Sequence, residues 1–180
     1  QLILLNQHEI CAMIIEPLVQ CASGMRMYHP VYLEHVRRIC NQYGVHLIAD
    51  EIAVGFGRTG SFFACQQASI SPDFLCLSKG LTGGFLPMSA VLTTDQIFNG
   101  FLSRERSRGF LHSHSYTGNP LGCAAALASL AIFDEDNKKK KNIMTSALIK
   151  QQMTVISSHP NVINFRQTGM IAAFDLVQTN

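Results

Sequence analysis

Apolar residues come in two rhythms along this chain. Short continuous runs read as strands buried on both faces: "EICAMIIEP", stopped by Pro17, then "VHLIAD", "DFLCLS" and "PMSAVLTT". Between them lie stretches of helical spacing. "PVYLEHVRRICNQYG" predicts a helix that starts at Pro30, turns Val31, Leu33, Val36 and Ile39 inward, and ends at Gly44. A short helix is expected near "FFACQQA" and another over "TDQIFNGFL", with Thr94 or Asp95 as its cap. "PLGCAAALASLAIFDED" reads as a long Ala-rich helix opened by Pro120. A further helix is expected over about residues 142–158, and two strands around Gly169 in "NVINFRQTGMIAAFDLV". Strands alternating with helices predict an α/β fold with a parallel or mixed sheet. The last section breaks the alternation and reads as the start of a second domain.

Composition narrows the picture. The 180 residues suit one domain or a little more. Apolar residues make up 47% and charged residues only 14%, against about 25% charged in ordinary soluble domains. That balance predicts a large core with a subunit interface. A formal charge of +2 gives no reason to expect a nucleic acid or a membrane surface as partner. No apolar run approaches the ~18–20 residues of a membrane span. The opening "QLILL" starts without Met inside a helical pattern, so the chain reads as a piece of something longer. Six cysteines, none in a C-x-x-C pair, read as reduced, buried thiols of a cytoplasmic protein.

The stretch "VHLIADEIAVGFGRTG" holds the first candidate chemistry. Gly55, Gly57 and Gly60 spell G-x-G-x-x-G after a strand. A dinucleotide loop leaves its strand directly, however, and here Asp50 and Glu51 intervene, where carboxylates would repel a pyrophosphate. "LIADE" also matches the acidic strand end of many ATPases, but no phosphate loop with a hydroxyl after its lysine is present in these residues. A third reading pairs Asp50 with Lys79. Both stand at carboxyl ends of apolar strands, where open α/β sheets bind ligands. Poor solvation at a strand end would free the Lys79 amine as a nucleophile, and Asp50 could keep the ring nitrogen of pyridoxal phosphate protonated. Spacing alone does not separate this from a structural ion pair, or from a lysine reaching for solvent. His112 and His114 share a loop without a third ligand at a useful spacing, so no metal is expected. The "KKKK" run at 138–141 reads as a solvated helix start, and Met13, Met25, Met27 and Met88 as core or pocket lining. Glu16 ends a strand near the expected cleft.

"LIADEIAVGFGRTGSFFACQQASISPDFLCLSKGLTGG" resembles the core signature of class III pyridoxal phosphate-dependent aminotransferases. "EPLVQCASGMRMYHP", "MSAVLTT" and "HSHSYTGNPLGCAAALASL" extend the resemblance over about residues 10–135. "GMRMYHP" with "FGRTG" points to one member more than to the family at large. The resemblance implies a fold-type I large domain, with a mixed, mostly parallel sheet and helices on both faces, over residues 1–137. Residues 138–180 would be a connecting helix and the start of the small C-terminal domain. It implies pyridoxal phosphate as cofactor and small-molecule substrates. Lys79 is the implied Schiff-base lysine, Asp50 the partner of the ring nitrogen, Ile52 the apolar residue on the ring face, and Ala53 its neighbour in the pocket. Ser115, with His114 beside it, is implied to bind the cofactor phosphate across a homodimer interface. Ser113 falls near the substrate, where the family usually has glycine, so its hydroxymethyl group puts a close backbone approach there in doubt. Arg58 reads as a loop or interface cation rather than a substrate clamp. Family members run to more than twice this length, so the 180 residues alone are expected to be inactive.

Overall fold

The structure, a computed structural model, describes residues 2–134 and 138–177. After one helical turn, α1 (Leu2–Leu5), come β1 (Ala12–Ile15) and two short strands, β2 (Val19–Gln20) and β3 (Arg26–Met27). α2 (Pro30–Tyr43) then leads to β4 (His46–Asp50), and a 3-10 turn at Ala64–Ala68 to β5 (Phe74–Leu77). A second 3-10 turn at Lys79–Thr82 precedes β6 (Ala90–Thr93) and α3 (Asp95–Phe101). The chain closes with α4 (Pro120–Asp134), α5 (Lys138–Ser157), β7 (Val162–Thr168) and β8 (Ile171–Leu176).

The main sheet has the order β1-β4-β5-β6. β1, β4 and β5 run parallel, and β6 returns antiparallel to β5, so the sheet is mixed and mostly parallel. Alternation on β4 buries Leu47 and Ala49 completely on the face that carries α2. There Leu47 joins Ile15, Leu33, Val36, Cys40 and Val45 around one core. Each fully buried leucine contributes about 1.5–3 kcal/mol. The helix is phased differently from expectation. Leu33, Val36 and Cys40 form its buried stripe, whereas Val31 is 42% and Ile39 37% exposed. Val31 stands two residues from Leu33, about 200° round the helix, so both cannot face the sheet. His29 caps the helix start through its ring nitrogen, and Gly44 ends it in a left-handed conformation. Asp73 ties helix to sheet, accepting from Arg37 Nη1 at 2.8 Å and from the Leu47 N–H at 2.7 Å.

α4 packs on the same face through Ala126, in a cluster with Phe56, Leu77 and Leu81. The opposite face carries Ile14, Ile48 and Val91 and is open among the described residues: Ile14 is 63% and Val91 60% exposed. β7 and β8 form a separate antiparallel pair. It docks through Arg166, whose Nε donates to the Met25 carbonyl at 3.0 Å and whose Nη2 donates to that of Gly24 at 2.7 Å. The Met170 N–H donates to the Arg58 carbonyl at 2.8 Å. α5 starts at Lys138, four residues before the expected start at about 142, so the lysine run is its first turn. The expected domain boundary at 137, and the expected helix end at 135–136, lie outside the described residues. All six cysteines are free, but only Cys40 and Cys65 are buried, and Cys11 is exposed. The edge position of Cys11, just before β1, leaves it uncovered.

Candidate active site

The strands that end at Asp50 and just before Lys79 are neighbours, and Asp50 pairs in register with Cys76 on β5. Lys79 follows three residues later, in the turn after β5, so both residues stand at the carboxyl edge of the sheet, at the ends of strands about 5 Å apart. No ion pair joins Asp50 to Lys79 among the described residues. Asp50 Oδ1 accepts the Ile52 N–H at 3.1 Å, which turns the chain sharply after the strand. Its other oxygen has no hydrogen-bond partner among the described residues, nor does the Lys79 amine. Lys79 is exposed, so the poor solvation expected of it is not found. The Cys21 thiol lies within electrostatic reach of both. Burial pushes it up, the neighbouring Glu16 carboxylate adds to this, Lys79 opposes it, and Asp50 adds a little more.

A cleft of about 770 Å³ opens beside this edge. Ile52, Ala53 and Phe56 line it from the loop after β4, and Lys79 and Gly80 from the turn after β5. Ile132 and Phe133 of α4 form one wall. Cys21 and Met25 form another, and Met170 reaches it from the β7–β8 turn and Ile171 and Ala172 from the start of β8. Arg58, exposed at the rim, is the second cation of the lining beside Lys79. Glu16 serves the cleft indirectly: its Oε2 accepts the Cys21 N–H at 3.1 Å, and its carbonyl accepts the Tyr28 hydroxyl at 2.6 Å.

The loop between Asp50 and the Ala64 turn is fastened by a residue the sequence reading gave no role. Glu51 is completely buried. Its two oxygens accept the N–H groups of Ala64 at 2.6 Å and Cys65 at 2.7 Å. Burial pushes its carboxyl above the ordinary value, against those two bonds. An acidic residue directly after Asp50 in an apolar stretch was the available signal.

The structure does not bring all the expected residues together. Ser113, His114 and Ser115 lie on an exposed segment before α4 and do not line the cleft. His114 Nδ1 accepts the Tyr116 N–H at 3.1 Å, a local turn contact. Among the described residues, no group of three or more His, Cys, Asp or Glu could hold a metal ion. Nor, among them, is any helix long and apolar enough to cross a membrane.

Known proteins with this pattern are informative. Residues 1–180 match the family described as Aminotransferase class-III. The adenosylmethionine-8-amino-7-oxononanoate aminotransferase of Helicobacter pylori is 48% identical over 98% of this chain and 42% of its own length. That of Aquifex aeolicus is 42% identical over 98% and 39%. Among solved structures, the same-named enzyme of Methanocaldococcus jannaschii superposes with a TM-score of 0.92 at 39% identity, covering 98% of this chain and 42% of that one. An (S)-enantioselective omega-transaminase from Thermomicrobium roseum gives 0.88 at 32% identity, covering 96% and 38%. The chain therefore spans about two fifths of the length of the curated relatives it matches. Its fold is that of part of a fold-type I aminotransferase, and the chain belongs to the class III aminotransferase family.

Proposed function

We propose that the protein containing these residues transfers an amino group from S-adenosylmethionine to 8-amino-7-oxononanoate. The product would be 7,8-diaminononanoate, for biotin synthesis, and the cofactor pyridoxal phosphate. The substrates rest on the names of relatives up to 48% identical. They are favoured over those of an omega-transaminase by 39% identity against 32% among the structural neighbours. The observation that carries the chemistry is the carboxylate of Asp50 and the amine of Lys79 at the ends of adjacent parallel strands, with no ion pair between them among the described residues.

The residues fit the cofactor. An acceptor oxygen on Asp50 suits a protonated ring nitrogen, Ile52 and Ala53 supply an apolar wall, and an exposed amine suits an aldehyde. When bound, the protonated ring draws electrons from the substrate carbon that carries the amino group. Asp50 would keep that nitrogen protonated by pairing with it. Ile52 would pack on the ring face, with Ala53 beside it. Lys79 would bind the cofactor covalently and, once displaced by substrate, move the proton at the reacting carbon. Ser115 and His114, away from the cleft of their own chain, would hold the cofactor phosphate of a second subunit, with Ser113 near its substrate. This makes the working unit a homodimer. In this reading residues 1–137 belong to the large domain and 138–180 open the small one, in a cytoplasmic enzyme.

The complete protein is assayed with S-adenosylmethionine and with ω-amino acids as donors. Turnover with S-adenosylmethionine, lost in Lys79→Ala, is expected. A preference for ω-amino acids would replace the substrate assignment, and full turnover in Lys79→Ala would remove Lys79 from the chemistry. A complete protein that takes up no pyridoxal phosphate would leave only a folding or dimerising remnant.

A further inference from the structure

We propose that Ser129 and Phe56 are positioning residues. They hold the backbone at Lys79 in a left-handed conformation and thereby set where its amine emerges; the inference rests on the functional reading above.

Lys79 has φ +42°, a region that residues with a side chain rarely occupy. Such a conformation persists only where its surroundings over-determine it, and it clusters at functional sites. Here the surroundings grip the chain on both sides of the lysine. Before it, the Ser78 hydroxyl donates to the Met88 carbonyl at 2.7 Å. After it, the Gly84 N–H donates to the Lys79 carbonyl at 3.2 Å. Gly80 is held twice over. Its carbonyl accepts the hydroxyl of Ser129, a buried residue of α4, at 3.0 Å. Its α-carbon lies against Phe56, so that a Cβ there would stand 2.7 Å from both Cβ and the ring Cδ2 of that side chain.

Phe56 cannot swing aside. It is 6% exposed and packs among Phe62, Phe63 and Phe133, with ring centroids 5.6, 5.9 and 6.1 Å away. It also belongs to the loop that begins at Asp50. The contact therefore links the loop after β4 to the turn after β5, while Ser129 anchors the Gly80–Leu81 peptide to α4. Without the Ser129 hydroxyl the Gly80 carbonyl keeps only the Gly83 N–H at 3.1 Å, so the turn that follows Lys79 is held less firmly and the lysine can relax to the common right-handed region. The amine would then leave the cleft edge in another direction.

Four complete proteins separate positioning from mere stability: unaltered, Ser129→Ala, Lys79→Ala and the double variant. Affinity for pyridoxal phosphate is read by fluorescence titration. Loss of one net hydrogen bond predicts about fivefold weaker binding for Ser129→Ala. The double variant should match Lys79→Ala within about twofold, because Ser129 acts only through the lysine. Gly80→Ala, which attacks the Phe56 contact instead, should show the same dependence on Lys79. Equal weakening with and without Lys79 would make the role purely structural and overturn the proposal. Unchanged affinity in both Ser129→Ala and Gly80→Ala would also overturn it. An unaltered protein that takes up no pyridoxal phosphate would remove the functional reading and this inference together.

Discussion

Gly169 offers a sharp test of how the C-terminal strand pair seals the cleft. It turns β7 into β8 with φ +58°, and the next residue, Met170, lines the cleft. A Cβ at Gly169 would lie 2.3 Å from the Thr59 carbonyl carbon and 2.5 Å from the Arg58 carbonyl oxygen. Both are backbone atoms, so no side-chain rotation relieves the clash. The strand pair must back away by about 1 Å to restore ordinary contact, and the 2.8 Å bond from the Met170 N–H to the Arg58 carbonyl breaks. Left-handed strain, overpacking and one lost hydrogen bond together predict that Gly169→Ala costs about 3–5 kcal/mol. Gly24 is the control. Its φ is +79°, but nothing stands within 4 Å of an added Cβ, so Gly24→Ala should cost only about 1 kcal/mol. Urea unfolding of the complete protein, compared at constant slope, gives both values. Hydrogen exchange at the Met170 amide should accelerate in Gly169→Ala alone. Equal costs for the two variants, or unchanged exchange at Met170, would refute the close docking.

Asp73→Asn should weaken the tie between α2 and β4 by about 1–3 kcal/mol at neutral pH. Burial works to raise the Asp73 carboxyl, but the Leu47 N–H and the Arg37 guanidinium outweigh it and hold it below its ordinary value. Its stabilisation is therefore present above about pH 4 and lost as pH falls, so the urea midpoints of the two proteins should converge in acid. Glu51 has the opposite sign: burial raises its carboxyl, the folded state holds a proton more tightly than the unfolded one, and stability falls as pH rises above about 4.5. Glu51→Gln should remove that slope while weakening the grip on Ala64 and Cys65, read from urea midpoints across the same pH range. Leu33→Ala, at a completely buried position, should cost about 2–5 kcal/mol in the same assay.

The strands β1, β4, β5 and β6 were legible because each is an apolar run closed by a polar or turn residue. So were the helix ends at Pro30 and Gly44 and the turn at Gly169, where single residues dictate backbone conformation. Asp50 and Lys79 were legible as polar groups at the carboxyl ends of apolar runs. What escaped was non-local. "PMSAVLTT" does not announce that β6 turns back antiparallel, since its register depends on β5. The phase of α2 depends on which stripe meets Leu47, and Val31 and Ile39 are apolar enough to suggest the wrong one. The bond from Ser129 to Gly80 spans 49 residues, and the docking of Met170 on Arg58 spans more. The Glu51 anchor is a buried charge, which binary patterning treats as surface. The short strands β2 and β3 carry two residues each, too few for any periodicity.

The central claim is that Asp50 and Lys79 address one cofactor ring from neighbouring strand ends. A crystal structure of the complete protein with pyridoxal phosphate measures this directly. It should show an Asp50 carboxylate oxygen within hydrogen-bond distance of the ring nitrogen and unbroken density from the Lys79 amine to the cofactor. A ring bound elsewhere, or one reached by only one of the two side chains, would contradict the account.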